Sequence, residues 1–163
     1  MLSASQKILL CHGIIMSQHV VKCATSLTSI QDLEKRVRFC SKATSSLLMH
    51  CMSEISYNWS DELRMHFCSS IRSRGVLLCL KNLPPRLSPK LESNLCVNAI
   101  NTGPVHCLQA MPGRYSDEQI VDMCGGAETD VPARCARAAG VRINPHDVVF
   151  VCKQIYESQK KYS

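Results

Sequence analysis

Two stretches of the chain decide its fold: Cys96-Val-Asn-Ala99 followed by Pro104-Val-His-Cys107-Leu-Gln-Ala110, and Cys124-Gly-Gly-Ala127 followed by Pro132-Ala-Arg-Cys135-Ala-Arg-Ala138. Both follow the pattern C-x-x-A-x-x-x-x-P-x-x-C-x-x-A, and the second copy repeats the first with a period of 28. A fixed period of roughly 20 to 50 residues is typical of repeat proteins, in which each copy of a small structural unit packs on the next. The pattern therefore predicts a repeat array.

The cysteines extend this period along the whole chain. Of the 11 cysteines, ten fall into two series that each step by 28, and Cys11 is out of phase by one residue. The two series are Cys23, Cys51, Cys79, Cys107 and Cys135, and Cys40, Cys68, Cys96, Cys124 and Cys152.

A helix-start signal recurs with the same period. Ser60, Ser88, Ser116 and Asn144 follow one another at this interval, and each is followed by Asp or Pro. Ser and Asn favour the N-cap, where the side chain accepts a bond from a free backbone N–H, and Pro or an acid suits the first helical turn. Each repeat is predicted to hold a first helix from this cap to the Ala column, a short turn, and a shorter second helix opened by proline.

The predicted fold is an all-α solenoid of tandem 28-residue helical hairpins, each closed by a disulfide. We expect one repeat array over residues 1–163. Its units are approximately 1–31, 32–59, 60–87, 88–115, 116–143 and a partial unit 144–163.

Two regular disulfide pairings fit the spacing, either across the turn within a repeat (Cys96 with Cys107) or across the loop between repeats (Cys107 with Cys124). We expect the first, because its two cysteines are equally distant from the turn and antiparallel helices would place them face to face. This pairing leaves Cys152 unpaired and bonds Cys11, Cys23, Cys40, Cys51, Cys68, Cys79, Cys96, Cys107, Cys124 and Cys135. The alternative is that the cysteines are reduced thiols that fill the core.

The residues predict no metal site, no cofactor and no catalysis. Zinc sites typically use cysteine pairs two to four residues apart, whereas no two cysteines of this chain lie that close. The acidic pairs Asp61-Glu62 and Asp117-Glu118 suit the first turn of a helix, where they complement the helix dipole. Gly125-Gly126 is expected inside a helix, where it would allow close packing.

Composition indicates a folded protein with no membrane span. Hydrophobic residues make up 45% of the chain and charged residues 20%. No apolar run approaches the roughly 20 residues that a membrane-spanning helix needs. The net charge of +6 raises nucleic acid as a partner. The basic residues are scattered and lack interleaved aromatics, however, so nucleic-acid binding is not expected.

Regular cysteine pairing favours an oxidising compartment such as the secretory pathway. Asn58-Trp-Ser60 is a glycosylation sequon, with Asn58 the candidate acceptor. The first residues form a poor signal peptide. We therefore expect either export by another route or a piece of a longer secreted protein. Because the terminal units lack an obvious polar cap, we also expect the array either to stack end to end with other copies, as a self-assembling unit, or to lie inside a larger chain.

In architecture alone, the array resembles the cysteine-rich Sel1-like solenoids and the paired-cysteine hairpins of mitochondrial import substrates, although both differ in repeat length or cysteine spacing. The expected function is a non-enzymatic structural or protein-interaction scaffold whose partner is a protein, including other copies of itself. The alternative is a redox or metal-handling protein that uses reduced thiols.

Overall fold

The computed structural model describes residues 18–41, 46–55 and 58–161, which form helices and no strands. This confirms the predicted all-α class. The helices are α1 Gln18–Ser26, α2 Leu33–Ser41, α3 Ser46–Glu54, α4 Asp61–Ser70, α5 Arg74–Lys81, α6 Pro89–Cys96, α7 Gly103–Ala110, α8 Asp117–Cys124, α9 Val131–Ala138 and α10 Pro145–Lys160.

The predicted helix starts are confirmed. Ser88, Ser116 and Asn144 are the N-caps of α6, α8 and α10, and the Ser60 hydroxyl accepts from the backbone N–H of Leu63. Ser116 forms a full capping box, in which its side chain accepts from the backbone of the residue three positions on and the glutamine side chain there accepts in return.

The helix ends differ from the prediction. α6 stops at Cys96 and α8 at Cys124, so the Ala column lies in the following turn. Gly125 is the C-cap of α8, and Gly126 has a φ of 70°, in the left-handed region that glycine adopts without strain. The expectation that Gly125-Gly126 lies inside a helix is therefore wrong. These glycines end α8, and Ala127 is buried within the turn.

The chain divides into two compact units, Met1–Ser69 and Ser70–Ser163. In the second unit the helices form two layers. The helices that begin at the Ser or Asn caps, α6, α8 and α10, stack in one layer, and α5, α7 and α9 stack in the other. One apolar core runs between the layers and includes Leu95, Leu108, Met123 and Val148.

The first unit contains the helix pairs α1–α2 and α3–α4. The indole ring of Trp59 meets the ring of Phe67 edge-on, with centroids 5.3 Å apart, and both side chains are buried. Edge-to-face packing suits the ring quadrupoles. It holds the residue that precedes the α4 cap against the segment of α4 that carries the bridge cysteine Cys68.

Backbone approaches backbone where α7 begins. A Cβ atom placed on Gly103 would lie 2.3 Å from the carbonyl carbon of Glu128 and 2.4 Å from the oxygen of Ala127, which is closer than real Cβ contacts allow. Gly75 makes the same approach to Ile100 one repeat earlier. The first turn of each of these helices therefore lies directly on the turn that follows its partner helix, and only glycine leaves enough room.

Candidate functional site

Five disulfides join the described cysteines, and every bridge spans 17 residues. Their Cα–Cα distances of 5.6 to 5.7 Å lie within the normal range. The pairs are Cys23–Cys40, Cys51–Cys68, Cys79–Cys96, Cys107–Cys124 and Cys135–Cys152. Each bridge joins two consecutive helices, from α1–α2 to α9–α10.

The expected pairing within the turn is wrong. Cys96 bonds to Cys79, and Cys107 bonds to Cys124, so the bridges cross the longer loop between repeats. The expectation that Cys152 is unpaired is also wrong, because it bonds to Cys135. Cys11 lies outside the described residues.

The length of the connecting loop explains the correction. Cys79 lies about 3 Å along the axis from the end of α5, whereas Cys96 lies about 10 Å from the start of α6, at about 1.5 Å per residue. If a tight turn joined the two helices, paired cysteines would have to lie at equal distances from that turn. The connector 82–88 contains Pro84 and Pro85 and could extend to about 23 Å. This length is enough to span the difference between the two distances, so α6 can begin farther from the bridge than the point at which α5 ends.

Each bridge closes a loop whose ends are 17 residues apart, which stabilises the folded state by about 3 kcal/mol through the lost entropy of the unfolded chain. α5 has 8 residues, too few for a helix that persists alone in water. The bridges therefore supply a stabilisation that such short helices need.

A second link between paired helices, which the sequence analysis missed, comes from arginine in the first unit. The guanidinium of Arg36 donates to the Ala24 carbonyl at 3.2 Å, and that of Arg64 donates to the Met52 carbonyl at 2.9 Å. Both arginines occupy the same position of the repeat, so the 28-residue period could have indicated that they share a role. It was hidden because the later positions of this column hold other residues: Glu92, Ile120 and Val148.

Hydrogen bonds join the turn after α6 to the turn after α8, and the turn after α8 to helix α10. The amide of Asn101 donates to the Glu128 carbonyl at 3.2 Å, and the backbone N–H of Glu128 donates to the Tyr156 hydroxyl at 2.7 Å. Lys160 forms a hydrogen-bonded ion pair with the Glu128 carboxylate, and this hydrogen bond raises the pKa of Lys160. These contacts link each of these repeats to the next.

Exposed ion pairs also join successive disulfide-bonded helix pairs. Lys35 donates to Glu62 at 2.8 Å, a hydrogen bond that lowers the pKa of Glu62 and raises the pKa of Lys35. In the second unit, Lys153 donates to Asp122 at 2.6 Å. Exposed pairs of this kind contribute little to stability.

The acidic pairs singled out in the sequence lie in first helical turns, as predicted. Asp61 and Glu62 occupy the first turn of α4, and Asp117 and Glu118 occupy that of α8. Asn58 is exposed in the connector before α4, which leaves its side chain accessible.

A polar groove of about 550 Å³ lies across the layer formed by α6, α8 and α10. Its lining includes Lys90, Asn94, Asn98, Asp122 and Lys153. Amides both donate and accept hydrogen bonds, and charges of both signs flank them. The groove therefore offers hydrogen-bond donors, hydrogen-bond acceptors and charged groups on one surface.

Within the described ranges, no cluster of three His, Cys, Asp or Glu side chains could hold a metal ion. No described helix is both long enough and apolar enough to cross a bilayer. The chain matches no family model, and no curated protein or solved structure matches it either.

Proposed function

We propose that this protein is a non-enzymatic interaction scaffold that binds a protein partner on its stacked helices. The observation that carries the proposal is the set of five bridges, one for each described helix pair and all at the same repeat position. Disulfides in register give short helices a fixed arrangement. A fixed surface binds with a smaller loss of conformational entropy than a mobile one.

We assign partner binding to the polar groove over α6, α8 and α10. Asn94 and Asn98 are exposed on α6 and in the turn after it, and Asp122 and Lys153 lie beside them. Side-chain amides at this spacing suit the backbone of an extended segment of a partner protein. The charges of both signs favour a polar segment over an apolar one.

Capture followed by a binary measurement tests this proposal. The oxidised chain is immobilised and exposed to extracellular extract of the source cells, with a reduced and alkylated chain as the reference. A protein retained only by the oxidised form is purified, and its Kd is measured. The Asn94→Ala/Asn98→Ala variant is expected to weaken binding by roughly tenfold or more, whereas Gln109→Ala, on the other layer, leaves it unchanged.

Equal retention by the reduced chain would contradict a role for the fixed array. An unchanged Kd in the double asparagine variant would remove the groove from the proposal. The rival function, thiol chemistry with reduced cysteines, requires free thiols in the native protein. Alkylation without reductant is expected to label at most one cysteine, Cys11, and labelling of many would favour the rival.

The compartment belongs to the same proposal. Five disulfides fit an oxidising environment, and we propose secretion or entry into the secretory pathway. Asn58 is then accessible for N-glycosylation. Protein from the native source should lose mass on treatment with an N-glycosidase, and Asn58→Gln protein should not. An unmodified Asn58 together with reduced cysteines would refute this location.

A further inference from the structure

The layer formed by α5, α7 and α9 contains basic residues and no acidic ones. Residues 73–88, 103–116 and 131–144, which include these helices and the connectors after them, contain neither Asp nor Glu. Every acidic residue from Ser70 to Ser163 lies in α6, α8 or α10, or in the turn after α8. The basic residues of the three segments are Arg74, Lys81, Arg86, Arg114, Arg134, Arg137 and Arg142. Basic residues that are scattered in the sequence are thus gathered by the fold into one layer.

Equivalent positions of the three helices face the same way. One column of the repeat is buried in each of them and holds Leu77, Val105 and Ala133. Two other columns are exposed in each of them, and these hold Leu78, His106 and Arg134, and Lys81, Gln109 and Arg137. Because the exposed columns are open on all three helices, their exposure does not depend on where the array begins or ends.

Four basic side chains lie on this outer side. Arg74 and Lys81 are seven residues apart on α5, which is close to two full turns, so they share one face of the helix. Arg134 and Arg137 are three residues apart on α9 and are neighbours on its surface. All four residues are exposed. We call Arg74, Lys81, Arg134 and Arg137 the basic face.

Most of the charge on the basic face is not neutralised within the second unit. The two acids in the turn after α8 are already paired, Asp130 with Arg134 at 3.4 Å and Glu128 with Lys160. In the part of the chain that the structure describes, the other three residues of the basic face form no ion pair. Like charges on one surface attract an anionic partner.

The basic face extends across three stacked helices. α9 packs on α7, and α7 packs on α5. Packed helices lie about 8–10 Å apart, so Lys81 on α5 and Arg137 on α9 are separated by about 16–20 Å. Gln109 of α7 occupies the same column between them. A linear polyanion that crosses the three helices could contact both ends, whereas a single small anion could reach only one of them.

We propose that the basic face binds a sulfated polysaccharide. Guanidinium groups bind tetrahedral oxyanions through paired N–H donors, as they bind phosphate, and sulfate esters repeat along such a polymer. Sulfated polysaccharides are extracellular, which agrees with the oxidising compartment proposed from the disulfides. α5, α7 and α9 contain no Phe, Trp or Tyr, whereas proteins that bind single-stranded nucleic acid stack the bases on such rings. The residues of this layer therefore favour a polysaccharide over a nucleic acid.

This site is separate from the groove to which partner binding is assigned. The groove lies across α6, α8 and α10, whereas the basic face belongs to the other layer. The Asn94→Ala/Asn98→Ala variant is therefore expected to keep its affinity for the polysaccharide. A chain that captures no protein in its groove would lose the proposed scaffold function and keep the polysaccharide site.

Binding of heparin oligosaccharides to the oxidised full chain tests the proposal, with Kd measured by calorimetry at several salt concentrations. The wild type is expected to bind, and its affinity should fall as salt rises, because bound cations release counterions from the polymer. Lys81→Gln/Arg137→Gln should weaken binding by roughly tenfold for each lost contact, about a hundredfold together. It should also make the salt dependence less steep. Heparin from which the sulfates have been removed should bind much more weakly than heparin.

Arg38→Gln/Lys161→Gln is the matched control. It removes the same net charge from α2 and from the end of α10, outside the layer of α5, α7 and α9. This variant should bind heparin as the wild type does. Circular dichroism and thiol counting must show that both variants fold with five bridges.

Four results would overturn the proposal. These are a wild type that does not bind heparin even at low salt, equal losses of affinity in the two charge variants, equal binding of heparin and its desulfated form, and binding of DNA of matched charge as tightly as heparin. The second result would mean that net charge alone attracts the polymer. The fourth would indicate a nucleic acid as the partner of this face.

Discussion

Two double cysteine variants that differ in one residue distinguish the disulfide pairing of the structure from its alternative. Cys79→Ala/Cys96→Ala removes both ends of one bridge and leaves the other four in place. Cys96→Ala/Cys107→Ala removes one end from each of two bridges, which leaves the thiols of Cys79 and Cys124 without their partners. If the bridges instead crossed the short turn, the two variants would exchange these outcomes.

The expected magnitudes follow from the loop length. With bridge ends 17 residues apart, one lost bridge lowers the free energy of unfolding by about 3 kcal/mol and two lost bridges lower it by about 6 kcal/mol. In a unit of the size of Ser70–Ser163, about 3 kcal/mol corresponds to a fall in Tm of roughly 12–24 °C. The second variant should therefore lose roughly twice as much.

The assay combines thermal unfolding with alkylation in denaturant without reductant, followed by mass measurement. Relative to the wild type, Cys79→Ala/Cys96→Ala should add no alkylated thiol, and Cys96→Ala/Cys107→Ala should add two. Two added thiols in the first variant and none in the second would refute the structural pairing. Equal losses of Tm in both variants would refute the estimate based on loop closure.

Other single substitutions test local features of the fold. Ser116→Ala removes the capping box and should cost about 1 kcal/mol in chemical denaturation, whereas Ser88→Ala, which loses no side-chain cap bond, should cost less. Gly103→Ala should destabilise by about 1–3 kcal/mol because its Cβ meets backbone, while Gly113→Ala, with nothing within 4 Å, should not; equal effects would contradict the close approach. Arg64→Leu leaves a carbonyl acceptor without its guanidinium donor at 2.9 Å, and a loss of about 1–3 kcal/mol is expected; unchanged stability would show that this contact contributes nothing.

The regular features of the fold were predictable because they depend on local chemistry. Ser88 and Ser116 are N-caps, a role that depends only on the few residues that follow them. Pro104 lies in the first turn of α7, as expected. The 28-residue period predicted stacked helical pairs without any knowledge of the contacts between them. The acidic first turns of α4 and α8 followed from the same reasoning.

The pairing of the cysteines was not predictable in this way. Cys107 is closer in sequence to Cys96 than to Cys124, and the shorter separation fits a symmetric turn. In the pair Cys79–Cys96, the choice depends on how far the connector 82–88 extends between the end of α5 and the start of α6, which is set by packing. The groove also escaped prediction, because it combines residues from different repeats.

The sequence alone determined that this chain is an array of short helices with a 28-residue period. Helix caps and prolines act on the residues next to them, and the cysteine columns give the period directly. Only the tertiary structure decided which cysteines bond, that Gly103 must admit the backbone of Glu128, and that Val151 is exposed whereas Met123 is buried. Local chemistry specifies a helix, but a bridge or a buried surface requires two segments to meet. Where they meet depends on the packing of the whole unit.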